Sequence, residues 1–223
     1  MEHTKKKFSI YNQNVVGYVF IMPWLVGFLC FTLVPFLMSF VLSFTNFNIL
    51  SPDTKFVGLD NYVKLFTQDK LFIKSLKVTF KFAFISVPLR LIFALLVAMI
   101  LNRKSRAVPV YRVVYYLPSI IGGSVAVSVM WRNLFTKAGV INSLLQAVGI
   151  DCRLNWLSNT KTALFTLILL YVWQFGSSML IFLSGLKQIP VSYYEAAEVD
   201  GAGKVRQFFS ITLPLLSPII LFN

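Results

Sequence analysis

The chain has 223 residues, 57% hydrophobic and 13% charged, with 22 Phe and a formal net charge of +13. Soluble domains carry about a quarter charged residues. An ordinary water-soluble enzyme is therefore excluded, and the long apolar blocks indicate an all-α polytopic membrane protein. The 21 Lys and Arg are spread through the polar segments without a basic stripe or interleaved aromatics. That pattern excludes a nucleic-acid surface and fits lipid headgroups and topology control.

In chain order, residues 1–17 form a polar tail with Lys5, Lys6 and Lys7. Tyr18 to Phe44 is almost wholly apolar. It is too long for a signal-peptide core and lacks a small-x-small cleavage site, so it reads as a retained first span in which Pro23 and Pro35 introduce kinks. Residues 45–77 read as a polar loop, with a short surface helix expected at Leu59–Phe66. A second span is expected over Val78–Leu101, then a basic cluster of Arg103, Lys104, Arg106 and Arg112, then a third span over Val113–Trp131. Residues 132–161 read as a loop with a small helix near Ile141–Val148, and a fourth span is expected over Thr162–Leu186.

The next stretch differs in kind. Pro190 closes the apolar run, helix-favouring residues follow from Val191 to Val199, and Gly201 is the natural stop because a helix end often needs a left-handed residue. Val205, Phe208, Phe209 and Thr212 then recur at i, i+3, i+4 and i+7, with Lys204, Arg206 and Gln207 off that stripe. This predicts a charged, amphipathic helical hairpin over 191–213, with Glu195 and Glu198 on one face and Asp200 at the turn. It fits either docking into a groove on a partner or a mere interfacial link between spans. Leu215 opens a fifth apolar run that reaches Asn223. It is shorter than the ~20 residues of a span, so the sequence reads as a fragment: four full spans and the start of a fifth. The domain reading is a cytoplasmic tail, first span and extracytoplasmic loop over 1–77, and an incomplete multi-span membrane domain over 78–223.

Basic residues near span ends set orientation. Raw counts on the two sides barely differ, but Lys5–Lys7 and the four basic residues packed between Arg103 and Arg112 carry more weight. They place the N-terminus and the hairpin in the cytoplasm.

Few residues offer chemistry. His3 is the only histidine and lies in the polar tail, which removes histidine triads and most zinc sites. Cys30 and Cys152 form no spaced motif and are expected to be unpaired. Gly203-Lys204 is not a phosphate loop: Val205 stands where Ser or Thr would hold magnesium, and Glu198 where the first Gly belongs. No metal or cofactor is expected in this chain, which should not bind ATP itself; if it serves active transport, the energy comes from another subunit. Arg90 falls near the middle of the second span, where a charge is costly unless it faces protein or water. It reads as lining a solute path or pairing across subunits, or else as a structural pair inside the bundle or a side chain brought to water by a shifted span. Gln174, Ser177 and Ser178 share a face of the fourth span, suited to a hydroxyl-rich solute or to close helix packing. Gly122 and Gly123 read as packing positions.

The hairpin resembles the cytoplasmic coupling motif of ABC importer permeases: E-A-A, three residues, G, nine residues, I, one residue, L-P. Glu195, Ala196, Ala197, Gly201, Ile211, Leu213 and Pro214 all stand at that spacing. Val57–Tyr62, Tyr115–Ser119, Trp173–Ser178 and Ile189-Pro190 are similar to the carbohydrate branch of the family. Lys77-Val78-Thr79 and Arg90 depart from its habits. The resemblance implies a type I importer permease of six spans in the bacterial cell membrane. It implies a second homologous permease, two cytoplasmic ATPase subunits and an extracytoplasmic solute-binding protein as partners. Glu195, Ala196, Ala197, Asp200, Gly201, Ile211, Leu213 and Pro214 would then couple to the ATPase, without covalent chemistry in this chain. The expected role is sugar import. Alternatives are a permease for another solute such as glycerol-phosphate, an integral membrane enzyme, which would need carboxylates or histidines at membrane depth, and an ion channel, which would need a filter or charge ring.

Overall fold

The structure, a computed structural model, describes residues 13–50, 54–103, 106–151 and 153–223; His3, Lys5–Lys7, Lys104 and Cys152 lie outside them. Every extended regular element among the described residues is helical, and the β-bridge between Thr45 and Phe56 is isolated. The helices are α1 (Gln13–Phe28), α2 (Val34–Leu42), α3 (Asp60–Thr67), α4 (Lys70–Leu101), α5 (Val108–Ile121), α6 (Val125–Leu134), α7 (Val140–Ala147), α8 (Ala163–Trp173), α9 (Gly176–Gln188), α10 (Val191–Val199), α11 (Lys204–Gln207) and α12 (Leu213–Phe222). Two π-helical turns, Leu29–Leu33 and Phe208–Thr212, join α1 to α2 and α11 to α12. The chain divides into two compact units, residues 1–76 and 77–223.

In the first unit, α1, the π-turn and α2 run on as one helix over Val16–Leu42, long and apolar enough to cross a membrane. Most apolar side chains of this helix are exposed, among them Phe20, Trp24 and Phe31. Gly58, in the left-handed region at φ +59°, turns the chain back. Asn61 Nδ2 then donates to the Ser43 and Thr45 carbonyls at 2.8 Å each, and the Tyr62 hydroxyl meets Ser43 Oγ at 2.7 Å. The Val57–Tyr62 stretch is thus the clasp that folds α3 against the end of the first span.

Several span boundaries differ from the sequence reading. α4 starts at Lys70, eight residues before the expected Val78, because Asp69 caps it: Oδ1 accepts the amide hydrogens of Leu71 and Phe72 at 2.9 Å each. Its lysine-bearing first turns are helical although hydropathy alone starts the span later. The stretch expected as a third span, Val113–Trp131, is broken, since α5 and α6 meet at 97°. Gly122-Gly123 ends α5, and Ser124 restarts the helix by accepting from the Val127 amide. At 1.5 Å per residue α5 is about 21 Å long, short of a bilayer core of about 30 Å. The fourth span is also two helices, α8 and α9, bent by 44° at Gln174-Phe175. The apolar run from Leu215 is not a fresh start, because Thr212 and Leu213 are both helical and Lys204–Phe222 forms one 19-residue helix. The hairpin's second arm and the fifth run are one rod.

The second unit is built around α9. Met179, Phe182, Leu183 and Leu186 are buried with Ala94 and Ala98 of α4, Val108 of α5 and Leu216 of α12. Small residues allow the crossings. A Cβ on Gly176 would run into the Tyr115 carbonyl oxygen and lie 2.6 Å from Tyr116 Cα, so α5 and α9 touch backbone to backbone there. A Cβ on Gly185 would meet the side chains of Ile219 and Leu216 on α12. Gly122 fits its packing role against Gln174, whereas Gly123 faces open space. The expected small helix in the 132–161 segment is α7. Its hub is Asn142, whose amide nitrogen lies within 3.1 Å of the Thr136, Lys137 and Leu154 carbonyls while its oxygen accepts from Trp156 Nε1.

Candidate functional site

The hairpin is a stapled elbow. Pro190, extended at ψ 134°, sets the start of α10. At its other end Gly201 takes φ +75°, the Ala202 amide donates to the Ala197 carbonyl (2.8 Å) and the Gly201 amide to the Glu198 carbonyl (3.0 Å). These two bonds around a left-handed glycine make a Schellman cap, which accounts for the Ala197-to-Gly201 spacing. Across the turn, Lys204 Nζ hydrogen-bonds and ion-pairs with Glu198 Oε1. That contact, by its hydrogen bond first and its charge second, holds the Glu198 carboxyl below its ordinary value. Gln207 Nε2 donates to the Ala202 carbonyl (3.0 Å), and the Tyr194 hydroxyl meets Thr212 Oγ1 at 2.8 Å, joining α10 to the second π-turn.

The apolar stripe predicted for the second arm is only partly the buried face: Thr212 is buried and Phe208 packs against the core, but the other two are not inside. Val205 and Phe209 are exposed, while Gln207 is buried together with Thr212 and Leu216, and Phe208 and Ile211 pack partly against the core. A π-turn holds one more residue per loop than an α-turn, so the buried line runs Gln207, Thr212, Leu216, spaced five and then four. A 3.6-residue period cannot show that shift. Glu195, Ala196, Asp200 and Pro214 are exposed; Ala197, Ile211 and Leu213 are half-buried. The hairpin therefore presents Glu195, Tyr193, Val199 and Val205 outward from a turn with little freedom to deform.

The second set of candidates gathers at the break between α8 and α9. Ser119 Oγ donates to the Gln174 carbonyl and accepts from the Ser177 amide, both at 3.0 Å. One hydroxyl from α5 thus satisfies two of the backbone groups that the bend sets free. Arg90 Nη2 donates to Ser177 Oγ at 3.0 Å, and its guanidinium carbon lies 4.7 Å from the Tyr171 ring centroid. Its Nε is buried without a hydrogen-bond partner, as is Ser86 Oγ one turn away on α4. Arg90, Tyr171, Ser177 and Ser178 line a small cavity of about 180 Å³. Gln174 does not join this face as expected. It sits in the bend, and its side chain fills the space opposite Gly122. Arg90 is thus held by neighbours inside the bundle and also borders a cavity. Tyr171 and Ser119 were not singled out as site residues from the sequence, because an aromatic and a hydroxyl in apolar runs carry no spacing signal.

Among the described residues no group of three or more His, Cys, Asp and Glu side chains could hold a metal ion.

Comparison with known proteins bears on this geometry. Residues 13–223 match the family described as "Binding-protein-dependent transport system inner membrane component". The chain is 57% identical over 219 residues, 98% of its length and 71% of the relative's, to the probable ABC transporter permease protein YesP of Bacillus subtilis (strain 168). It is 32% identical to the arabinooligosaccharides transport system permease protein AraP of the same organism, over 95% of this chain and 67% of that one. Among solved structures it is similar to a chain of a bacterial ABC transporter involved in the import of the acidic polysaccharide alginate. The TM-score is 0.76 at 25% identity, covering 93% of this chain and 70% of that chain.

Proposed function

This chain belongs to the family of binding-protein-dependent transport system inner membrane components, membrane-embedded permease subunits and not enzymes, and within it we propose that the chain carries a sugar, with the 191–213 hairpin as its mechanical link to ATP hydrolysis. The observation that carries the coupling role is the stapled elbow. A Schellman cap, a Glu198–Lys204 pair and a Tyr194–Thr212 contact stiffen a turn whose outer surface is left to a partner. A push on α10 passes through that turn into Lys204–Phe222, a continuous helix that runs into the apolar bundle. The partners are two ATPase subunits at the hairpin, a second permease, and an extracytoplasmic binding protein that delivers the solute. The N-terminus and hairpin face the cytoplasm. The sugar class is supported by the arabinooligosaccharide transport of AraP and by the alginate import of the structural relative. Arg90, Ser177 and Ser178 are the candidates for solute contact from these helices.

The test is uptake in proteoliposomes by the full-length permease with its partner subunits, offered arabino-oligosaccharides, alginate oligosaccharides and glycerol 3-phosphate. ATP-dependent uptake of an oligosaccharide supports the assignment, and uptake of glycerol phosphate alone overturns it. For the coupling role, Val199→Cys must be labelled by an impermeant thiol reagent from the cytoplasmic side. Labelling only from outside removes the hairpin from the ATPase.

A further inference from the structure

At the root of the hairpin lies a second basic site that transport does not account for. A pocket of about 560 Å³ is lined by Arg103 at the end of α4, Arg112 of α5, Lys187 of α9, and Val108, Val191 and Tyr194. Its size falls within the about 300–1,000 Å³ of small-molecule sites. The pocket receives three cations and no acidic side chain. Among the described residues the ion pairs are Lys64–Asp60, Arg153–Asp151 and Lys204–Glu198, so none of the three cations is neutralised. Arg112 Nε is buried without a hydrogen-bond partner, a donor whose desolvation is offset only when an acceptor enters. Four helix ends meet here, the N-termini of α5 and α10 and the C-termini of α4 and α9, so their partial charges of about +0.5 and −0.5 cancel and the side-chain cations dominate.

We infer that this pocket binds the phosphate of an anionic phospholipid headgroup. Planar guanidinium groups suit phosphate oxygens. The lipid source follows from position: α4 and α9 end at the pocket as they leave the apolar bundle, which is headgroup depth. The walls beside the cations are apolar, with Val108, Leu186 and Ile189 buried, and α4 and α5 carry exposed apolar side chains such as Ile100 and Val110. Because Val191 and Tyr194 of α10 also form the wall, a bound headgroup braces the arm that carries the elbow. The inference concerns lipid binding, so it stands or falls separately from the solute and from the coupling role.

The experiment uses the purified full-length transporter complex, delipidated in neutral detergent, and measures retention of phosphatidylglycerol, phosphatidylcholine and inorganic phosphate by native mass spectrometry. Phosphatidylglycerol is expected to bind about tenfold more tightly than phosphatidylcholine. Arg112→Gln, Arg103→Gln and Lys187→Gln should each weaken it about fivefold, the factor expected for one cation near a lipid surface, without changing phosphatidylcholine. Arg112→Lys, which keeps the charge, should lose less and shows that the effect is not misfolding. Equal binding of both lipids, or variants that bind phosphatidylglycerol unchanged, overturns the site. Displacement of the lipid by inorganic phosphate at equal affinity assigns the pocket to a free anion and overturns the lipid. Binding by the permease pair that disappears in the full complex assigns it to an acidic residue of the ATPase and also overturns the proposal.

Discussion

The Tyr194 hydroxyl and Thr212 Oγ1 lie 2.8 Å apart, bridging the two arms of the hairpin across 18 residues of sequence. A contact between two neutral hydroxyls is worth roughly 0.5–1.5 kcal/mol, yet here it ties the only described helix of the first arm to the register-shifting π-turn of the second. Tyr194→Phe and Thr212→Val should each lower sugar-dependent uptake while leaving basal ATP hydrolysis of the complex near its original rate. The double variant should be no worse than the poorer single one, because both remove the same link. Fully additive losses in the double-mutant cycle would separate the two residues.

Gly201 offers a cleaner separation of backbone from contact. A Cβ there meets nothing within 4 Å, so the constraint is φ +75° alone. Gly201→Val should destabilise the turn by about 1–2 kcal/mol and uncouple hydrolysis from uptake. Gly201→Asn, which tolerates the left-handed region, should keep most of the uptake. Equal loss in both variants would point to a partner contact at this position instead of the cap.

Glu198 supplies a pH test. Its carboxyl is held below the ordinary 4.5 by the hydrogen bond from Lys204 and then by that ammonium's charge. A group depressed in the folded state stabilises it fully above the unfolded value and loses that stabilisation as pH falls through the folded one. Amide protection at residues 197–207, taken relative to the intrinsic exchange rate at each pH, should therefore fall on acidification below about 4.5. In Lys204→Gln that acid dependence should be absent, while uptake at neutral pH changes little because exposed pairs contribute weakly. An unchanged acid profile in Lys204→Gln would show that another group titrates.

Gly176 and Gly185 should differ although both are buried glycines of α9. At Gly176 a side chain collides with backbone of α5, which cannot turn aside, and Gly176→Val should cost about 1–3 kcal/mol or prevent assembly. At Gly185 the obstacle is the end of Ile219 and a Leu216 methyl, which can rotate, so Gly185→Ala should be tolerated. Thermal stability of the purified complex distinguishes them.

Arg90 can be divided between structure and transport by one substitution. Replacing a buried charge with an apolar side chain of similar volume is often neutral or stabilising. Arg90→Met should leave assembly and thermal stability intact, since Met fills the space beside Tyr171, while uptake falls about tenfold or more. If stability falls in parallel with uptake, the guanidinium is a structural brace for Ser177 and Tyr171.

Local chemistry made the elbow legible beforehand: Pro190 starts it, Gly201 stops it, and no other residue suits φ +75° so well. The buried face of the second arm was hidden, because a π-turn at Phe208–Thr212 has no compositional mark and a periodic reading places Val205 inward and Gln207 outward. The breaks at Gly122–Ser124 and Gln174-Phe175 were hidden too, since hydropathy runs through them unbroken; the second is held by Ser119, 55 residues away from Gln174. Pairings of that length, including Arg90 with Ser177, are products of the fold and leave no trace in spacing.

Ser119 sets a limit on how this subunit can change shape. Pulling α5 away from the α8–α9 bend would strip two main-chain groups of their partner at once. Those three helices are therefore the part least free to part company, and any opening and closing must find its slack elsewhere.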